Sequence, residues 1–362
     1  MKVLIVFNHP APYKVRLFNE LAKHFDLEVI FERKKAKNRP DSFYNCNEYN
    51  FKYTIINKCI FGEENSFSSE LKNILKRRHQ EFDLIIMNGY SKIAELKAIK
   101  YLNKKHIPYT LLINGGVIKK ENSLKRKYKA KYISSAANYL SPCEEADEYL
   151  LYYGADKNKI SHYVYSTLYD SDIIAKPLTK EEKEAERRAF NLPNGDLYIA
   201  ASQFIKRKNN EQLIKLFKQI KGTLLLVGEG KEKANYEKII IENNITNVII
   251  RPFEKRENLF KIMSLCDGFI TLSKEDIYGH TTNEALAMGL PVLSSDKVIG
   301  STHLIKDGVN GFVVKLNDEK DIIDKINKLK ECSSLEAIKT AKENTIEMMA
   351  ETTIKCIKDL MK

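Results

Sequence analysis

The sequence lacks any hydrophobic run that could cross a membrane, since no segment approaches the roughly eighteen apolar residues that a spanning helix requires. Its opening residues, MKVLIVFNHP, read as a β-strand rather than as a secretion signal. The six cysteines are scattered and form no Cys-x-x-Cys pair, which argues against structural zinc and disulfides. These absences predict a cytoplasmic protein with free thiols.

Several catalytic patterns are absent as well. The sequence shows no Ser-His-Asp or Cys-His nucleophile elbow and no His-rich set of metal ligands. Its basic runs are not accompanied by a recognition motif for nucleic acid. We therefore expect no protein nucleophile, no metal, no cofactor and no nucleic-acid partner.

Length and hydrophobic content are sufficient for two α/β domains. The 362 residues exceed the size at which one core usually stops growing, and 43% of them are hydrophobic. Short apolar segments alternate with stretches of helical spacing, which predicts parallel sheets with helices on both faces. The candidate strands are residues 2–7, 27–31, 83–88, 109–113, 138–142, 162–166, 197–202, 223–228, 247–252, 268–273, 291–295 and 311–314. A polar, helix-prone stretch at 170–195 places the domain boundary nearby.

Positive charge is concentrated in the first half of the chain. Residues 1–170 hold 29 Lys and Arg against 19 Asp and Glu, a balance of +10, whereas the remainder has a balance of +2. One basic run, residues 118–132, repeats Leu124, Tyr128 and Tyr132 at helical spacing. Three interpretations are open: a surface helix whose apolar stripe faces the core, a patch that rests on anionic lipid and, least favoured, a nucleic-acid patch.

The most informative segment is SKEDIYGHTTNEALAMGLPVLSSD, residues 273–296. Asp276 precedes Glu284 by eight positions with Gly279 between them, and the segment runs from a strand end through a loop into a helix. Loop amides and a helix N-terminus after a parallel strand form an anion site, and two carboxylates beside it can bind hydroxyl groups. A phosphate next to hydroxyl groups is the chemistry of a nucleotide sugar.

This segment resembles the nucleotide-binding signature of the family-four retaining glycosyltransferases, which build sugar chains from activated donors. The positions of the family pattern are filled here by Asp276, Gly279, Glu284, Ala285, Gly289, Pro291 and Val292. The family more often has Glu at the first position, so Asp276 is a departure and Glu275 could serve instead. The resemblance implies the GT-B fold, in which two doubly wound, Rossmann-like domains face each other across a cleft.

The resemblance also implies a role for each domain. Residues 1–170 are expected to form the acceptor-binding domain, and residues 171–344 the domain that binds the nucleotide sugar. In this family the last helix crosses back onto the first domain, and the segment 345–362 is expected to do so here. A plain surface helix is the alternative for that segment.

Donor phosphates in this family are usually bound by an Arg and by a Lys five positions later. Lys208 takes the place of the Lys, and Gln203 stands where the Arg is expected. Losing the Arg would remove one charge-assisted contact, for which Lys206 or Arg207 could compensate.

Lys208, Asp276 and Glu284 are the catalytic residues that the resemblance implies. Glu284 is expected in the opening turn of its helix, where it would accept the ribose hydroxyls, and Asp276 or Glu275 would face the transferred sugar. The remaining expected donor contacts are Gln203, Gly228, Gly230, Arg251, Pro252, Phe253, Glu275, Tyr278, Gly279, His280, Thr281 and Thr282.

The acceptor site is expected on loops that follow strands of the first domain, the usual ligand position in an open parallel sheet. Many relatives place a His after the strand that ends here at Ile113, where Asn114 and Gly115 stand instead. His9 is a candidate substitute, with ordering of its own loop as the alternative. The expected acceptor residues are Asn8, His9, Pro10, Tyr13, Asn88, Gly89, Asn114 and Gly115.

Together these features predict a retaining, metal-independent glycosyltransferase of the hexosyltransferase type. It would move a sugar from a UDP- or GDP-sugar to a glycan or lipid-linked acceptor in cell-surface polysaccharide synthesis. The alternatives are another GT-B enzyme, such as a UDP-sugar 2-epimerase, and a catalytically silent donor-binding subunit. The expected location is the cytoplasm, with peripheral contact at the inner face of the membrane as an option.

Overall fold

The computed structural model describes residues 1–35, 44, 48–56 and 69–362. The chain forms two compact units. One contains Met1–Thr167 together with Ile346–Lys362, and the other contains Leu168–Thr345. The sequence places these boundaries at 170 and 344, whereas the structure changes unit after Thr167 and after Thr345.

The first unit is built on a parallel sheet. Its strands are β1 (Lys2–Phe7), β2 (Asp26–Phe31), β3 (Lys52–Ile55), β4 (Leu84–Asn88), β5 (Thr110–Leu112), β6 (Asn138–Ser141) and β7 (Ile160–His162). Its helices before the unit boundary are α1 (Pro12–Ala22), α2 (Glu70–Arg78), α3 (Ile93–Lys104), α4 (Ser123–Ile133) and α5 (Glu144–Tyr152). The strand order is β3-β2-β1-β4-β5-β6-β7. Val3 to Phe7 of β1 are all buried, as expected for a central strand covered on both faces.

The second unit repeats this architecture with six strands in the order β10-β9-β8-β11-β12-β13. These strands are β8 (Leu197–Ala201), β9 (Thr223–Val227), β10 (Val248–Arg251), β11 (Gly268–Thr271), β12 (Val292–Ser295) and β13 (Gly311–Val314). Its helices are α6 (Lys180–Arg187), α7 (Asn210–Leu216), α8 (Lys233–Glu242), α9 (Arg256–Ser264), α10 (His280–Ala287), α11 (Ile299–Leu304), α12 (Glu319–Lys328) and α13 (Ser334–Lys342).

The core of the second unit lies on both faces of its sheet. Leu197, Ile199 and Ala201 of β8 belong to one buried cluster, and Tyr198 and Ala200, which alternate with them, belong to another. Side chains of a strand point to opposite faces in turn, so each cluster covers one face. This two-sided burial explains why the strand reads as a continuous apolar run.

The last helix, α14 (Ile346–Leu360), packs against α1 in the first unit. The Val164 amide donates to the Thr352 hydroxyl over 2.9 Å. The Lys14 Nζ lies 4.0 Å from the Met349 sulfur. Residues from both ends of this sequence therefore belong to the first unit.

The predicted fold class is confirmed, because both sheets are parallel and alternate with helices. Two strands differ from the sequence prediction. β3 was not foreseen, and its half-exposed edge residues carry little hydrophobic signal. The strand expected at 162–166 is found earlier, at Ile160–His162, because Tyr163 and Tyr165 bury their rings around Lys14 instead of extending the sheet.

The basic helix α4 does not bury its apolar stripe. Leu124 is 76% exposed and Tyr128 is 51% exposed, whereas Tyr132 is buried. The interpretation of a stripe that faces the core is therefore wrong for the first two residues. Lys125, Arg126, Lys127 and Lys131 are exposed beside them.

None of the helices in the described ranges is both long enough and apolar enough to span a membrane. Cys46 and Cys59 lie outside those ranges. The four described cysteines, Cys143, Cys266, Cys332 and Cys356, are free and buried. Burial raises the pKa of the Cys143 and Cys266 thiols to about 12, so neither is a reactive thiolate at neutral pH.

Candidate active site

In the second unit, the expected donor residues come together at one edge of the sheet. All strand pairings are parallel, so the carboxyl ends of the strands share that edge. The loops after β8, β9, β10 and β11 lie there. The strand order reverses between β8 and β11, and open α/β sheets bind ligands at such a switch point.

Lys208 and Asp276 meet at this switch point, one in the loop after β8 and the other in the loop after β11. The Lys208 Nζ is 2.5 Å from Asp276 Oδ2, and the Arg207 Nη1 lies 3.3 Å from the same oxygen. Arg207 also donates to the Glu275 carbonyl over 2.5 Å, and the Lys274 amide donates to the Arg207 carbonyl over 2.8 Å. The two loops are thus joined through main chain and side chains.

The charge of Asp276 results from opposing effects. Burial by itself would raise its pKa, but the Lys208 ammonium and the Arg207 guanidinium outweigh burial and lower the pKa of Asp276 below its ordinary value. Asp276 is therefore an anion at neutral pH. Two cations share it, so the cluster carries a net positive charge at the switch point.

Gly279 ends the loop and caps α10. Its backbone is left-handed, with φ 79° and ψ 57°, a conformation that costs glycine little. The amides of Gly279, His280 and Thr281 stand at the helix N-terminus, where the dipole favours an anion. The Thr282 amide donates to the Gly279 carbonyl, and the Thr282 hydroxyl lies 2.6 Å from that of Ser301. Thr282 thus closes the helix turn, in place of the expected phosphate contact.

Glu284 is the fifth residue of α10, which places it in the second turn of the helix. The prediction of an opening-turn position is wrong, because the helix begins immediately after Gly279. The side chain of Glu284 is 16% exposed, and its Oε1 lies 3.8 Å from the Arg256 Nη1. A partly exposed carboxylate can accept hydrogen bonds from hydroxyl groups.

The glycines of the turn after β9 let two loops approach each other. A Cβ on Gly228 would lie 1.9 Å from the Ser202 carbonyl oxygen, and one on Gly230 would lie 2.5 Å from that of Phe204. The Phe204 amide donates to the Glu229 carbonyl over 2.8 Å. These glycines bring the loop after β9 against the loop that carries Lys208.

The loop after β10 presents Pro252 and Phe253 to solvent. Arg251 behaves differently, because its guanidinium donates to the Phe190 carbonyl over 2.9 Å and lies 3.4 Å from Glu254. Its side chain is therefore engaged within the unit. Any contact of Arg251 with a nucleotide base is left to its main chain.

The other expected donor residues differ in exposure. Gln203 is exposed at the carboxyl edge, and Glu275, His280 and Thr281 are half-buried. Tyr278 is buried, and its ring centroid lies 5.1 Å from that of His280. Tyr278 therefore packs beneath the protein surface against His280 and offers a ligand little side-chain surface.

In the first unit, the expected acceptor residues also lie at the carboxyl edge of the sheet. Asn8 and His9 follow β1, Asn88 ends β4 and Asn114 follows β5. The strand order reverses between β1 and β4, so the loops after these two strands flank the switch point of this sheet.

The loop after β1 is ordered by its own polar contacts. The Asn8 side-chain oxygen accepts the His9 amide over 2.7 Å. The His9 Nδ1 lies 3.3 Å from the Tyr44 hydroxyl, and Pro10 is buried. The loop-ordering alternative for His9 accounts for these contacts.

The loop after β4 is shaped by a buried acid that the sequence reading missed. The Glu95 carboxylate accepts the Ser91 and Lys92 amides at 2.6 and 2.8 Å. Gly89 has φ 113°, and a Cβ there would lie 2.6 Å from Glu95 Oε1. Glycine is needed at this position for both reasons, and Asn88 beside it is buried.

The loop after β5 is tied to the segment that follows β7. The Asn114 side-chain oxygen accepts the Tyr163 hydroxyl over 3.0 Å, and Gly115 adopts φ 113°. This contact fixes Asn114 where relatives of the resembled family carry a His.

Two further buried groups of the first unit were not predicted. Lys14 is 1% exposed, and burial lowers its pKa to about 7. Its ammonium nitrogen lies 4.7 to 5.7 Å from the ring centroids of Tyr165, Phe7, Tyr163 and Tyr13. Glu32 is 4% exposed, and burial, with the nearby Glu95 carboxylate, raises its pKa to about 8.

Helical spacing in the sequence could have indicated the burial of Lys14 and Glu95. Lys14 precedes Leu17, Phe18 and Leu21 at intervals that put all four on one face of α1. Glu95 shares a face of α3 with Ile99 and Leu102 in the same way. A charged residue at an apolar position of a helix therefore marks burial.

Comparison with known proteins supports one family. The family model described as glycosyl transferases group 1 matches residues 182–348. An uncharacterized glycosyltransferase of Methanocaldococcus jannaschii is 23% identical over 243 residues, which cover 67% of this chain and 63% of that protein. The chain thus spans less than two thirds of this relative's length. The O-antigen biosynthesis glycosyltransferase WclY of Escherichia coli is 24% identical over 298 residues, which cover 78% of this chain and 75% of WclY.

Among solved structures, the chain is similar to Anabaena HepE in complex with UDP. The TM-score is 0.77 at 15% identity, and the match covers 99% of this chain and 100% of that chain. The similarity extends over both units and confirms the GT-B fold class.

Proposed function

Because this chain belongs to the group 1 glycosyltransferases, we propose that it transfers a hexosyl group from a UDP- or GDP-sugar to a glycan or lipid-linked acceptor. The observation that carries this proposal is the cluster of Lys208, Arg207 and Asp276 at the switch point of the second sheet. Asp276 of this cluster lies in the loop that leads from β11 into the N-terminus of α10. Fixed cations, helix amides and a carboxylate are the groups that a sugar diphosphate requires.

The proposed chemistry depends on stabilising the leaving group. The anomeric C–O bond breaks, and its electron pair stays on the diphosphate, whose growing charge is met by Lys208, Arg207 and the amides of α10. Such preorganised charges lower the barrier because they need no rearrangement during the reaction. The acceptor oxygen attacks the anomeric carbon from the same face, and its proton passes to the departing phosphate oxygen. The anomeric configuration is then retained.

The donor class is supported by the structural neighbour. HepE has been solved with UDP and with UDP-glucose. The role in cell-surface polysaccharide synthesis is supported by WclY, an O-antigen biosynthesis enzyme. In the proposed mechanism, Lys208 and Arg207 meet the charge of the diphosphate in place of a metal. We therefore expect turnover to persist in EDTA; a loss of turnover that Mg²⁺ restores would refute this part.

The donor proposal is tested by thermal shift with UDP-glucose, UDP-galactose, UDP-N-acetylglucosamine and GDP-mannose, followed by assay of slow donor hydrolysis without acceptor. A bound donor raises the unfolding temperature by mass action. Glu284→Ala should abolish the shift, and Glu257→Ala, at an exposed position of α9, should keep it. If Glu284→Ala binds as well as the parent, the site assignment is wrong. Conversion of the donor to its 2-epimer would favour the epimerase alternative, and binding without turnover the silent subunit.

We also propose that α4 rests on an anionic membrane surface. Leu124 and Tyr128 are exposed apolar side chains, and Lys125, Lys127 and Lys131 are exposed on the same helix. Apolar groups can enter the headgroup region while each nearby cation contributes roughly 1 kcal/mol on an anionic surface. Cytoplasmic location at the inner leaflet would bring the enzyme to a lipid-linked acceptor.

Sedimentation with vesicles tests the membrane proposal. Binding should be stronger to phosphatidylglycerol than to phosphatidylcholine vesicles. The double change Lys125→Glu with Lys127→Glu should lower partitioning by at least about tenfold, since it reverses two charges. Lys306→Glu with Lys320→Glu, exposed in the second unit, makes the same change in net charge and should have little effect. Equal partitioning to both vesicle types would remove the proposal.

A further inference from the structure

Arg256, a residue that the sequence reading did not select, joins two carboxylates in the second unit. Its Nη2 lies 2.7 Å from Asp172 Oδ2, and its Nη1 lies 3.8 Å from Glu284 Oε1. The guanidinium carbon also lies 4.6 Å from the centroid of the Phe260 ring. These three contacts hold the guanidinium on two sides and across one face.

The place of Arg256 in the sequence is unfavourable for an ordinary surface arginine. It is the first residue of α9, and a cation at a helix N-terminus opposes the helix dipole. The preceding residue, Lys255, is also a cation. The position of Arg256 is therefore determined by its partners rather than by its own helix.

The anchor of Arg256 is itself fixed. The same oxygen of Asp172 accepts the Tyr169 amide over 2.8 Å, which closes a short turn at Asp170–Asp172. The orientation of the Asp172 carboxylate is thus fixed by its own turn, independently of Arg256. The same carboxylate is engaged as the partner of Arg256.

The separation of Arg256 from Glu284 suits a ligand-binding carboxylate. At 3.8 Å the guanidinium attracts the carboxylate without occupying it through a short hydrogen bond. A carboxylate can accept hydrogen bonds on both of its oxygens. Glu284 would need both oxygens to bind two neighbouring hydroxyl groups of a ribose.

We infer that Arg256 is a positioning residue for the ribose of the donor nucleotide: anchored by Asp172 and Phe260, it orients the Glu284 carboxylate. This inference rests on the proposed function, in which Glu284 accepts the ribose hydroxyls. It assigns the preference for ribonucleotides over deoxyribonucleotides to Asp172, Arg256 and Glu284 together instead of to Glu284 alone.

The test compares binding of a ribonucleotide with that of its 2′-deoxy form, because only the former offers both hydroxyls to Glu284. Dissociation constants are measured by calorimetry for UDP against 2′-deoxy-UDP and for GDP against 2′-deoxy-GDP. The parent should prefer the ribonucleotide. The ratio of interest is the dissociation constant of the deoxy form divided by that of the ribonucleotide. Arg256→Met should reduce this ratio by about threefold or more, the order expected for a partly exposed ion pair.

Three further variants separate positioning from folding. Arg256→Lys should restore only part of the ratio, since lysine lacks the planar fork that reaches two carboxylates. Asp172→Asn should also reduce the ratio, because it removes the carboxylate that anchors Arg256. Lys261 is on the same helix as Arg256, and Lys261→Met removes its ion pair with Glu186 of α6. This variant should leave the ratio unchanged.

The possible failures are distinguishable. If the parent binds none of the four nucleotides, the proposed function fails. If the parent prefers ribonucleotides and Arg256→Met, Arg256→Lys and Asp172→Asn all keep the full ratio, the proposed function stands and the inference about Arg256 is overturned.

Discussion

The carboxyl edges of the two sheets hold their charges in different ways. In the second unit the charges are paired, with Lys208 and Arg207 on one oxygen of Asp276. In the first unit Lys14 and Glu32 are buried, and no opposite charge in the described residues lies within ion-pair distance of either. An adjacent opposite charge can keep a buried group ionised, whereas burial without one displaces the group toward its neutral form. The second edge therefore holds fixed, paired charges, whereas the first edge makes stability depend on pH.

The largest effect is expected at the paired edge. Lys208→Ala should lower the turnover number by a factor on the order of a thousand, equivalent to about 4 kcal/mol, because the proposed mechanism then loses its preorganised cation at the leaving group. The measurement is donor turnover at saturating donor. Lys215→Ala, which removes an exposed lysine of α7, should leave turnover unchanged. Retention of turnover within tenfold in Lys208→Ala would show that the charge pairing at this edge is structural only.

Glu32→Gln sharpens the comparison at the unpaired edge. The folded state holds the proton of Glu32 up to about pH 8, whereas an unfolded glutamate loses it near pH 4.3. Between these values the folded state binds more protons, so the free energy of unfolding falls as pH rises. The advantage of Glu32→Gln over the parent should grow by about 3 kcal/mol from pH 5 to pH 8. Urea unfolding checks this; Glu148→Gln, exposed on α5, should show no such trend.

Lys14→Met should show the opposite trend in a higher pH window. Burial lowers the pKa of Lys14 to about 7, and an unfolded lysine titrates near 10.4. Between these values the unfolded state binds more protons, so the parent gains stability as pH rises. Lys14→Met should be the more stable protein at pH 7, and its advantage should shrink by about 2 kcal/mol by pH 9. Parallel stability curves for the parent and the variant would contradict an unpaired Lys14; exposed Lys23→Met is the matched control.

The sequence could predict the second edge better than the first for a physical reason. Lys208, Asp276, Gly279 and Glu284 lie in one loop-and-helix pattern with fixed spacing, and parallel strands bring their loops to one edge whatever else the chain does. Arg256 could not be found this way, because its partner Asp172 is distant in sequence and the contact exists only after folding.

The first edge depends still more on tertiary packing. Eleven of the twelve predicted strands are present at their expected places, since burial on both faces leaves a continuous apolar run. The surroundings of Lys14 are contributed by β1, α1, the segment after β7 and α14, which no local pattern connects. Helical spacing indicates that Lys14 is buried, but not that aromatic rings surround it.

The smallest effect concerns which cation replaces the arginine missing at Gln203. Arg207 reaches Asp276 at 3.3 Å and the Glu275 carbonyl, whereas Lys206 is exposed. We therefore expect Arg207→Ala to lower turnover by about tenfold, the loss of one charge-assisted contact, and Lys206→Ala to change it by less than about twofold. Steady-state kinetics with the donor that the thermal-shift panel identifies measures both. The reverse order would place the compensating charge on Lys206, and equal, small effects would mean that Lys208 and the α10 amides bind the diphosphate without a second cation.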